Sequence, residues 1–152
     1  MKDTVRAPVT MLAIASCLFV AVTRGQAASQ GAATLTVTVE GINSVRGKVL
    51  VALYQRPGKW LKRGGELTGR VVRARKGAVK VVFKNVWPGT YGVSSFHDEN
   101  DNRKLDTNWL GIPQEGNGFS RDAKASFGPP KFESAAFSMR GGDRAIKLRM
   151  RY

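Results

Sequence analysis

Asp98, Asn100, Asn102 and Asp106 occupy positions one, three, five and nine of a short polar run. Side-chain oxygens at that spacing converge when a loop curls around a hard cation, because calcium accepts carboxylate, amide and carbonyl oxygen in mixed sets. The carbonyl of Lys104 stands at position seven, where such loops use a backbone ligand. The run departs from an EF-hand loop twice: Arg103 occupies position six, where that loop has glycine, and Trp109 occupies position twelve, where it has a bidentate glutamate. Glu115, in the irregular segment that follows, is the candidate for the missing carboxylate. The competing reading is a series of Asx turns whose side chains cap their own backbone. Charge speaks for the cation, since Asp98, Glu99, Asp101 and Asp106 are four acids within nine residues. They repel one another unless a metal, or Arg103 and Lys104, offsets them.

Other chemistries find less support. His97 is the only histidine and Cys17 the only cysteine, so neither imidazole nor thiolate zinc sites can be assembled. Ser95, His97 and Asp98 lie along one strand, and such neighbours do not converge as a catalytic triad. Asp106 with Glu115 has the composition of a glycosidase pair, but nothing in the spacing singles it out. Gly64-Gly65 is an isolated pair, not a phosphate-cradling loop. No enzyme is expected, and His97 reads as a structural hydrogen-bonding residue.

The elements that position these residues are strands. Leu35, Val37 and Val39 alternate with threonines and Glu40, a period of two with β-branched side chains. After a Gly41–Gly47 turn, Val49, Val51 and Leu53 repeat the pattern. Further strands are expected at Gly69–Arg75, Ala78–Lys84, Tyr91–His97, Ser134–Met139 and Ala145–Tyr152, with no helical window between them. About seven strands with Gly/Pro turns predict an all-β fold, an antiparallel β-sandwich, over residues 34–152. Between Asp98 and Ser134 the alternation stops, which predicts one long ordered loop, with Trp109, Phe119 and Phe127 pinning it to the core.

Charge is unevenly placed. The 152 residues contain 25 Lys or Arg against 11 Asp or Glu, a net of +14. From Lys59 to Lys84 there are nine bases and one acid, Glu66. Arg73 with Arg75, and Lys80 with Lys84, each share a strand side, and Lys147, Arg149 and Arg151 do so at the C-terminus. These rows read either as a solvated face that discourages edge pairing or as a surface for an anionic partner. Arg73, Arg75, Lys80 and Lys84 are the candidates for that surface. Its partner would be an acidic envelope polysaccharide, lipopolysaccharide or a lipid surface. Nucleic acid is not expected, because no reading motif accompanies the charge.

Residues 1–28 read as a secretory signal peptide. Lys2 and Arg6 precede an apolar run from Met11 to Val22, and small residues follow at Gly25 to Ser29. A run that short does not cross a bilayer as a helix, and no later stretch is long enough, so no transmembrane segment is expected in the mature chain. Ile14-Ala15-Ser16-Cys17 has the form of a lipobox, but the apolar run continues beyond Cys17, which favours simple export to the periplasm or medium.

Phe83-Lys84-Asn85-Val86-Trp87-Pro88-Gly89-Thr90-Tyr91 resembles the strand–turn–strand element of transthyretin-like and carboxypeptidase-regulatory-like sandwiches. His97-Asp98-Glu99-Asn100, Leu105-Asp106-Thr107-Asn108, Gly111-Ile112-Pro113-Gln114-Glu115-Gly116 and Gly128-Pro129-Pro130 continue the likeness. Together these blocks resemble the bacterial family called domain of unknown function 2141, over about residues 34–152. The resemblance implies an exported β-sandwich without an established activity, and Arg103 departs from its pattern, where glycine is expected. The sequence thus predicts an exported binding module of the cell envelope, stabilised by calcium and presenting a basic face to anionic partners. The alternative is a purely structural envelope domain, with a hydrolase ranking third.

Overall fold

The computed structural model describes residues 31–124 and 128–152, so the expected signal peptide, Cys17 and Phe127 lie outside the described residues. Every second residue of the first strand, β1 (Ala33–Ile42), turns inward, and Leu35, Val37 and Val39 are fully buried. The same alternation runs through much of β2 (Lys48–Tyr54), β4 (Gly77–Val86) and β5 (Gly89–Asp98), whereas the edge strand β3 (Thr68–Arg73) buries none of its residues. Short β6 (Asn117–Phe119) and β7 (Phe137–Met139) are followed by the final strand, β8 (Arg144–Arg149). One sheet has the order β4-β1-β8; the other runs β3-β2-β5, with β6 and β7 sharing the second edge of β5. Leu35, Val37, Val39 and Leu148 of the first sheet and Val49, Val51, Leu53, Tyr91 and Val93 of the second belong to one buried apolar cluster. Each large aliphatic side chain buried there contributes roughly 1.5–3 kcal/mol.

The all-β sandwich expected from the alternation is the observed fold. One pairing departs from its antiparallel rule, since β8 runs parallel to β1, with Thr38 opposite Lys147. The cause is the path of the chain. β7 ends with Met139 opposite Gly89, at the end of the sandwich where β1 begins, so β8 passes alongside β1 in the same direction. The strand expected at Ser134–Met139 is shorter. Phe132–Ala135 forms a single helical turn, α1, because Ser120 Oγ donates to the Ala135 carbonyl at 2.6 Å and turns the chain there.

The segment after Asp98 contains β6, which the sequence did not disclose. Its three residues are too few for a period, and it adds to β5 opposite Ser94–Phe96. Beyond it Phe119, Ala123 and Ala135 form a second buried cluster with Trp60 and Leu61. Trp60 stacks edge-on against Tyr54 and Phe132, and its Nε1 donates to the Pro130 carbonyl at 2.8 Å. A Cβ at Gly92 would lie 2.9 Å from the Trp60 ring, so this backbone approach requires glycine. Phe119 is therefore a pin, as expected. Trp109 is not: it is 90% exposed.

Candidate functional site

One end of the sandwich gathers the end of β1, the start of β2, the ends of β3 and β5, and the C-terminus. The Asn43–Gly47 turn lies directly against the polar run. Gly47 (φ +65°) would place a Cβ 1.9 Å from the Asp98 carbonyl, so it needs glycine for both conformation and space. Arg46 pairs with Glu99, and Lys48 Nζ lies 3.0 Å from Asp101.

Within the run, Asp98 is fully buried and accepts the backbone N–H groups of Asn102 (3.0 Å) and Arg103 (2.8 Å) through its two oxygens. Asn100 Oδ1 accepts from Asn102 N, and Asn102 Oδ1 from Lys104 N. The side-chain amides of Asn100 and Asn102 both donate to Asp106, at 2.6 and 2.9 Å. Glu115, also buried, closes the assembly by accepting from Glu99 N (2.9 Å) and Asp106 N (3.0 Å). Arg103 adopts φ 61°, the left-handed conformation that glycine supplies at position six of calcium loops, and Asp101 adopts φ 62°.

Asp98, Asn100, Asn102 and Asp106 are thus brought together with Glu115, while Lys104 enters the network through its backbone N–H. Among the described residues no group of three carboxylates or imidazoles is placed to hold a metal by itself. An ion here would need the amide oxygens and the Lys104 carbonyl as well. Exchanging the O and N positions of the Asn100 and Asn102 amides would turn two donors toward Asp106 into two more oxygen donors, at the loss of the hydrogen bonds that their present oxygens accept from Asn102 N and Lys104 N.

His97 is buried beside this loop with both ring nitrogens engaged. Nε2 lies 2.7 Å from the Arg46 carbonyl, which can only accept, and Nδ1 lies 2.7 Å from Tyr152 Oη. In the neutral ring Nε2–H donates to Arg46, and Tyr152 donates to Nδ1 while accepting from Asn43 N. Burial pushes the Tyr152 phenol up, the Asn43 hydrogen bond pulls it down, and the Glu99 charge raises it again; the net shift is upward. The roles of Tyr152 and Arg46 were not legible in the sequence, because both arise from contacts with residues more than fifty positions away.

The four bases expected on one face are divided. Arg73 sits opposite Lys48 in the β2–β3 pair and Arg75 follows it in the turn, both at the loop end. Arg73, Lys48 and Asp101 help line an open cleft of about 500 Å³ beside the polar run. Lys80 and Lys84 lie on β4 of the other sheet, on its outer face, where Thr38 is flanked by Lys80 and Lys147. Lys84 also borders a smaller cleft of about 330 Å³ at the opposite end, with Arg70, Leu67 and exposed Trp87. Strand sides can be read from alternation, but which sheet a strand joins cannot, and that separated the pairs.

Beyond Asp106 the chain forms a hairpin-like tip. Thr107 bridges Pro113, Asn108 N donates to the Ile112 carbonyl, and Asn108 Oδ1 accepts from Leu110 N and Ile112 N. Trp109, Leu110 and Ile112 project from it, 90%, 60% and 54% exposed.

A family model described as "Uncharacterized protein conserved in bacteria (DUF2141)" matches residues 37–147. The chain belongs to that family. No curated protein and no solved structure matches it.

Proposed function

We propose that this chain is an exported binding module of the bacterial cell envelope, whose 98–115 loop takes a calcium ion and whose basic surfaces meet anionic partners. One observation carries the calcium reading. Asp98, Asp106 and Glu115 are linked through one loop, and among the described residues none of them forms an ion pair. On a chain of net charge +14, three carboxylates left to amide and backbone donors suit a cation better than a purely protein-made network. Export is supported by the leader pattern of residues 1–28. A binding role rather than catalysis is supported by His97, whose two nitrogens are committed to Arg46 and Tyr152 and so are not free to act as a general base.

A second reading, a purely structural envelope domain, is favoured by the loop's own hydrogen bonds, which already satisfy its side-chain oxygens. The two readings separate in a melting experiment. With calcium, mass-action linkage raises the melting temperature relative to chelator, and Asp98→Ala with Asp106→Ala removes the shift. Equal melting curves in calcium and chelator would leave the loop as a structural turn. Export is checked by intact mass: the chain recovered from the periplasm of a Gram-negative host is expected to be shortened by about 25–30 residues.

A further inference from the structure

Trp109, Leu110 and Ile112 are the apolar side chains of one short tip, and folding leaves all three in water. Their exposure is built in. The Asn108 side chain, the Thr107–Pro113 bridge and the turn hydrogen bond from Gly111 N to the Asn108 carbonyl fix the backbone independently of any apolar packing. Gly111 completes the turn at φ +77°. A contiguous apolar projection on a water-facing loop marks an interaction site, whereas scattered single apolar residues do not.

The charges at this end identify what covers it. Most acids of this end are engaged: Glu99 and Asp101 are paired with Arg46 and Lys48, Asp98 and Glu115 are buried, and Asp106 accepts from the Asn100 and Asn102 amides. Arg73, Arg75, Lys76, Arg103 and Lys104 are exposed at the same end and, among the described residues, form no ion pair. The same end therefore carries both exposed apolar side chains and bases without an ion-pair partner among the described residues. Tryptophan places its amphipathic ring at the headgroup level of a bilayer, and Lys and Arg are drawn to anionic headgroups.

We infer that this end of the sandwich docks on an anionic phospholipid surface, with Trp109, Leu110 and Ile112 entering the interfacial layer and the bases of the same end meeting the phosphates. The inference rests on the anionic-partner reading, and names the lipid surface as that partner. It does not require calcium.

The test uses the mature chain in chelator, with phosphatidylcholine vesicles carrying or lacking phosphatidylglycerol, some of them brominated in the acyl chain. Binding to the anionic vesicles is expected, falling with salt, together with quenching of tryptophan fluorescence by the brominated lipid. Trp109→Ser and Leu110→Ser are each expected to weaken binding about tenfold, the scale of withdrawing one large apolar side chain from an apolar medium. Trp109→Ser is also expected to remove the quenching while the melting temperature stays unchanged. If Arg73→Gln with Arg75→Gln abolishes binding while the tip variants bind as before, the tip inference is overturned and the anionic-partner reading stands. Retention on heparin without vesicle binding overturns it in favour of a polysaccharide partner. Concentration-dependent self-association that disappears in Trp109→Ser makes the occupant a second copy, and overturns it too.

Discussion

β1 and the 98–115 loop are held by opposite means. β1 turns Leu35, Val37 and Val39 fully inward and pairs along both edges, so its order comes from apolar burial and backbone ladders. The loop buries two carboxylates and is tied by side-chain oxygens that accept its own N–H groups. Apolar burial is indifferent to ions and specifies one packed state. A network of carboxylates and amides is directional, polarisable and open to a cation, so its stability depends on what occupies it. The blocks from His97 to Gly116 that carry the family resemblance fall on the second kind of structure, which is where a ligand can act.

The comparison can be broken most severely in the sheet. Leu35→Ala removes a fully buried side chain from the centre of the core. It is expected to cost about 2–5 kcal/mol in denaturant unfolding, with no change in any response to calcium. Next comes Ser120→Ala, at the junction of sheet and loop. Ser120 Oγ accepts from Val93 N and donates to the Ala135 carbonyl in a buried site, so its loss is expected to cost about 1–3 kcal/mol and to loosen α1 before β5. Tyr152→Phe deletes the hydroxyl between Asn43 and His97 and is expected to cost about 1 kcal/mol.

The same phenol gives a pH signature. Its folded-state pKa is raised, so the folded chain holds the proton more tightly than the unfolded one. That contribution is complete below the unfolded value of about 10 and is lost as pH rises through the folded value. Tyr54 and Tyr91 are shifted the same way, chiefly by burial. Melting temperature should therefore fall in strong alkali, and less steeply in Tyr152→Phe. Trp109→Ser should be the mildest change, within about 0.5 kcal/mol of the unmodified chain, because an exposed side chain has no packing to lose.

The sheets were legible because period-two alternation is written residue by residue: Leu35 to Val39 and Val49 to Leu53 face inward as their spacing requires. The parallel course of β8 was not legible, since direction depends on where β7 ends and not on the residues of β8. The loop was half legible. Oxygen spacing drew attention to Asp98, Asn100, Asn102 and Asp106, and Glu115 was a natural fifth member, now seen bonded to Glu99 N and Asp106 N. Trp109 misled because large aromatics are ordinarily buried, and nothing local reveals that Asn108 builds a tip that keeps this one in solvent. The grouping of Arg73 and Arg75 with Lys80 and Lys84 failed for the reason that hid β8: strand faces are local, and sheet membership is not.

The central claim is that the polar loop responds to a cation directly, while the sheets respond only through global stability. Amide hydrogen exchange measured with calcium and with chelator addresses it residue by residue. Calcium should slow exchange at Asn102, Arg103 and Asp106, whose N–H groups are held by Asp98 and Glu115, whereas exchange along β1 should slow only as far as global stability rises. Identical exchange at those three amides in calcium and in chelator would contradict the account.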